Sequence, residues 1–65
     1  MNAEEFKSAV RKAKIGDKIV YHVGQFLPEF HSGGRAAWDA YEAGRVALYQ
    51  RKEGRVFHYT AERVK

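Results

Sequence analysis

The chain has 65 residues, 12 of them Lys or Arg and 8 Asp or Glu, giving a formal net charge of +4. That length sustains one small domain (1–65) with a thin core, and the lack of cysteine excludes disulfide staples, thiolate metal sites and a cysteine nucleophile. No apolar run approaches the ~18 residues that span a bilayer, and the acidic start lacks the order of a signal peptide, so a cytoplasmic, membrane-free protein is expected.

Asn2 and Glu5 have the spacing of an N-cap with a reciprocating carboxylate. Phe6, Ala9, Val10 and Ala13 then recur on one face, which predicts a helix over 3–14. Lys7, Arg11 and Lys14 form a basic row on another face of that helix, and Gly16 stops it. Residues 18–23 are β-branched and aromatic, with Ile19, Tyr21 and Val23 alternating, so a strand is expected there, ended by Gly24. Pro28 and Gly33-Gly34 break any periodicity, which predicts a loop over 25–34 with room for one helical turn near Pro28. Residues 35–43 favour a second helix, with Ser32 as a nearby cap. Ala37, Trp38, Ala40 and Tyr41 face inward, Arg35, Asp39 and Glu42 face outward, and Gly44 is the stop.

Strands over 45–52 and 55–62 flank Glu53-Gly54, a two-residue hairpin turn in which glycine supplies a positive φ. That turn places Tyr49 opposite His58 and Arg51 opposite Val56. Val46, Leu48, Phe57 and Tyr59 form an apolar face, and Tyr49, Arg51 and His58 a mixed outer one. The predicted fold class is α+β in the order α-β-α-β-β: two helices packed on a small antiparallel sheet ending in a β-hairpin.

Little in this sequence points to catalysis. The hydroxyls sit in no nucleophile motif, and Ser32-Gly33-Gly34-Arg35 lacks the Lys-Ser/Thr of a phosphate-binding loop. His22, His31 and His58 have no ligand spacing, so neither a metal site nor a cofactor is expected. The stronger signal is the hairpin tip. There Arg51, Lys52 and Arg55 cluster around the turn above Tyr49 and His58, a pattern suited to phosphate contact and stacking. A solvated, edge-protecting tip would need the same charges.

The order helix, strand, helix, hairpin is carried by residues 17–23, 36–44 and 45–59, and it resembles the winged-helix family of DNA-binding domains. Val46-Ala47-Leu48-Tyr49-Gln50-Arg51 followed by Phe57-His58-Tyr59 also looks like small phage and prophage-type bacterial proteins. The resemblance implies binding to nucleic acid, most plainly duplex DNA, through the wing. The second helix, with Asp39 and Glu42 outward, is poor in groove-reading side chains, which leaves contact to Arg51, Lys52, Arg55, Tyr49 and His58, supported by Lys7, Arg11 and Lys14. The alternative is a protein-interaction module, either a phage-type modulator of a host protein or a sheet-mediated homodimer. Its contacts would be Phe26, Phe30, Tyr49, Val56 and His58.

Overall fold

A computed structural model describes residues 1–28 and 30–65. Helix α1 (Ala3–Lys12) precedes strand β1 (Lys18–Gly24), helix α2 (Ser32–Glu42) and the strands β2 (Val46–Glu53) and β3 (Val56–Arg63). The α+β order read from the sequence is therefore the order observed. The antiparallel sheet runs β1-β3-β2, so the second hairpin strand lies in the middle.

At the start of α1, the Asn2 side chain accepts from the Glu5 amide at 2.8 Å, and the Glu5 carboxylate accepts from the Asn2 amide at 3.0 Å. Phe6 and Val10 point down onto the sheet as the apolar spacing requires. The helix stops at Lys12, two residues earlier than predicted, because its last turn is closed from outside. Arg63, on β3, donates Nη1 to the carbonyls of Val10 (2.9 Å) and Ala13 (2.6 Å). Lys14 thus falls in the following turn, where its amide donates to the Asp17 carboxylate at 2.9 Å. It does not extend the helical row of Lys7 and Arg11.

Strand β1 contains an extra residue. Val20 pairs with Thr60 but His22 pairs with Tyr59, so a bulge at Tyr21 reverses the side-chain alternation. Ile19 and Tyr21 are buried, while Val23 is turned out and His22 faces the helices. The predicted alternation of Ile19, Tyr21 and Val23 therefore fails at its third member.

Helix α2 begins at Ser32, inside the segment predicted as loop, and His31 rather than Ser32 is its cap. Ser32 Oγ instead accepts from the Ala3 amide at 3.2 Å, which ties the starts of the two helices together. The buried side of α2 is Gly33, Ala36 and Ala37. A Cβ at position 33 would collide with the Met1 carbonyl, so only glycine allows this approach. Small residues thus seat the helix closely, and Trp38 (54% exposed) and Tyr41 turn outward, opposite to expectation. The two rings meet on the surface at a tilt of 40°, with centroids 5.2 Å apart.

The core lies between the helices and one sheet face. Phe6 is its largest fully buried side chain and meets Tyr21 edge to face, with centroids 5.6 Å apart. Val46, Ala61, Leu48 and Tyr59 complete it from β2 and β3. No helix among the described residues is long and apolar enough to cross a membrane.

Candidate nucleic-acid interface

The hairpin turn is Gly54-Arg55, not Glu53-Gly54, and Glu53 pairs with Val56. Gly54 has φ +64°, and no other residue type takes a positive φ anywhere among the described residues. Positive φ at the first central position alone is the type II′ pattern, which suits the twist of the flanking strands. Placing glycine second, in a type I′ turn, would have forced Glu53 into left-handed backbone as well.

Moving the turn shifts the register by two residues. Arg51 therefore faces His58, and Tyr49 faces Thr60, correcting the pairs predicted from the sequence. An even shift preserves parity, so the face assignments survive. Val46, Leu48, Phe57 and Tyr59 stay on the helix side; Tyr49, Arg51 and His58 stay on the outer side.

At the tip, Glu53 is drawn between two neighbours. Its Oε2 lies 3.3 Å from His58 Nε2, and its Oε1 lies 3.7 Å from Arg51 Nε. The Arg51 contact is solvent-exposed, and such pairs contribute little, so a phosphate can recruit Arg51 at small cost. Lys52 and Arg55 have no carboxylate within 4.0 Å among the described residues. Parity sends Lys52 to the helix side and Arg51 to the outer side, while Arg55 occupies the turn. The tip thus presents cations around its whole circumference, with Tyr49 and half-buried His58 just below.

Lys7 and Arg11 lie elsewhere. They border a groove between α1 and α2, together with Arg45 and Lys65 at the base of the hairpin. Strand β2 rises about 3.3 Å per residue, so its base and tip are roughly 23 Å apart. The predicted basic residues therefore form two surfaces. Arg45 and Lys65 are not among the contact residues expected from the sequence, although hairpin pairing alone brings them together: the amides of Val64 and Lys65 both donate to the Arg45 carbonyl.

The residues of the interaction alternative also divide. Tyr49, Val56 and His58 share the outer sheet face with exposed Val20 and Val23. Phe26 (70% exposed) and Phe30 (92%) instead lie on the loop that leads back to α2.

Beside that loop, the His22 and His31 rings meet edge to face, with centroids 4.6 Å apart. His31 Nδ1 accepts the Gly34 amide at 2.9 Å, which caps α2 and requires that nitrogen to be unprotonated. Burial, then His22, then the terminal amine hold the His31 pKa below its ordinary 6.5. Below pH 6.5 the unfolded chain takes up this proton more readily than the folded one. The contribution of His31 is therefore complete above that pH and is lost as pH falls through the lowered value. Thermal melts should show wild type losing stability from pH 7.5 to pH 5, and His31→Asn, which keeps a cap without titrating, losing less. Equal acid sensitivity in both would remove His31 as the cause. Among the described residues no three potential metal ligands come together.

Compared with protein-family models, curated proteins and solved structures, the chain matches none of them.

Proposed function

We propose that this chain is a small cytoplasmic nucleic-acid-binding protein of winged-helix-like design that grips duplex DNA with its hairpin and carries out no reaction of its own. One observation carries the reading: a two-stranded ribbon ends in three exposed cations, two of them without a carboxylate partner among the described residues. A ribbon of two strands is one of the elements that the major groove admits. Arg51, Lys52 and Arg55 would contact phosphates, and Tyr49 and His58 would lie against the sugar-phosphate wall. The absence of cysteine supports the cytoplasmic setting.

With about three phosphates engaged, log affinity should fall with log salt at a slope of about −3 for duplex DNA. Fluorescence anisotropy with a random 20-base-pair duplex would read it. Exchanging both Arg51 and Arg55 for Glu should weaken binding about tenfold or more at low salt and lower the slope by about two. A chain that fails to bind duplex at low salt, or binds equally after the exchange, is not a DNA-binding protein of this kind.

A second reading rests on the outer sheet face, where Val20, Val23 and Tyr49 remain exposed beside Val56 and His58. That face would pair with a second copy or with a host protein. Sedimentation would separate the two readings, because a dimer broken by Val23→Lys, with no salt-sensitive DNA affinity, favours interaction alone.

A further inference from the structure

The charge of the chain is unevenly placed. Among the described residues, five of the 12 basic and one of the seven acidic residues line the groove between α1 and α2, which leaves seven basic and six acidic residues elsewhere. Four of the five net positive charges of the described residues therefore lie at the groove. Its volume is about 730 Å³, within the ~300–1,000 Å³ usual for binding pockets. Phe6, Val10 and Ala36 form the floor, and Ala40 and Ala43 the α2 wall.

The two helices begin side by side and both end at the base of the sheet. Each C-terminus contributes about half a negative charge there, and Arg63 is spent on the carbonyls of α1. Lys7, Arg11, Arg45 and Lys65 still outweigh Asp39 and these dipoles. Only Lys7 has a carboxylate nearby, Glu4 at 4.0 Å; the other three have none within that distance among the described residues.

We propose that this groove docks an acidic amphipathic helix of a partner protein. Lys7 and Arg11 stand one helical turn apart along one wall, and Arg45 and Lys65 continue the basic rim at its end. A ligand with a single charged head would answer only one of these points. A helix bearing carboxylates at i and i+4 answers them in sequence, and its apolar stripe covers the alanine wall. Packed helices lie ~8–10 Å apart, so a third helix fits over the seam between two, whereas a DNA duplex would touch the rim and leave the apolar walls uncovered. This site is separate from the hairpin tip and does not depend on it.

The test uses three fluorescein-labelled probes: an 18-residue helical peptide with Glu and Leu at i, i+4 spacing, the same peptide with Lys for Glu, and a 20-base-pair duplex. The full chain should bind the Glu peptide at least tenfold more tightly than the Lys peptide. Lys7→Glu with Arg11→Glu should cost tenfold or more, and Ala43→Trp, which fills the groove, should cost as much. Arg51→Glu with Arg55→Glu should change peptide affinity less than twofold. Amide shifts of the wild-type chain, which need no variant to fold, should move at residues 7–11 and 36–43. The proposal is overturned if the two peptides bind alike, if the shifts map to the hairpin tip or outer sheet face, or if the duplex displaces the peptide and loses affinity through Lys7 and Arg11.

Discussion

Phe6→Ala should leave the chain largely unfolded at 25 °C. Phe6 is 1% exposed, and with Val10 it forms the buried face of α1. Truncating a buried phenylalanine costs about 3–5 kcal/mol, from lost transfer energy and from the cavity left behind. A chain of 65 residues has roughly 3–10 kcal/mol of total stability. The loss is therefore comparable with the whole margin. The edge-to-face contact with Tyr21 would go too, worth about 0.5–1.5 kcal/mol beyond its area. Far-UV circular dichroism and urea titration would read the result. Phe6→Leu should stay folded with a lowered urea midpoint, about 1–2 kcal/mol less stable. A cooperative transition for Phe6→Ala near the wild-type midpoint would mean that the core is not centred on this ring.

The features legible in the sequence are those fixed by neighbours along the chain. The Asn2–Glu5 cap and the Phe6–Val10 stripe depend on spacings of three and four, and both are observed. The hairpin faces were legible even though its turn was misplaced, because a two-residue shift leaves every side chain on its own side. The tip cluster of Arg51, Lys52 and Arg55 is insensitive to the same shift. Contacts between distant segments were not legible. Histidine is no usual helix cap, and His31 serves as one because its ring is held against His22. Trp38 and Tyr41 face solvent because Gly33, Ala36 and Ala37 admit a closer approach than aromatic rings would. The bulge at Tyr21 arises from pairing with β3, and nothing local marks it. The groove was half visible: Lys7 and Arg11 stood out as a row, but Arg45 and Lys65 join them only once strand pairing is known.

Arg63 is the clearest of these long-range devices, and removing it should produce the second largest loss. Its Nη1 reaches the carbonyls of Val10, Ala13 and, at 3.4 Å, Arg11, while Nε donates to the Lys65 carbonyl at 3.2 Å. Its backbone closes the same corner, for the Gly16 amide donates to the Arg63 carbonyl at 2.7 Å and the Arg63 amide to Asp17 at 3.0 Å. One residue thus satisfies the end of α1 and anchors the turn into β1. Hydrogen bonds from a charged donor contribute about 1.5–3 kcal/mol, and a cation at a partly buried helix C-terminus up to about 2. These terms overlap, and water can reach the half-exposed carbonyls once the guanidinium is gone, so Arg63→Met should cost about 2–3 kcal/mol rather than their sum. Arg63→Lys keeps the charge but not the fork of donors, and should recover only part of the loss. Hydrogen exchange distinguishes a cap from general packing. With the cap lost, protection should fall first at amides 10–13 and only later in β3, whereas uniform loss along the chain would assign Arg63 to the core instead. The cap also bears on function, because it holds the C-terminal end of α1 against the groove that Lys7 and Arg11 border. Arg63→Met should therefore weaken anything that binds between the helices while leaving the hairpin tip, at the far end of β2, unaffected.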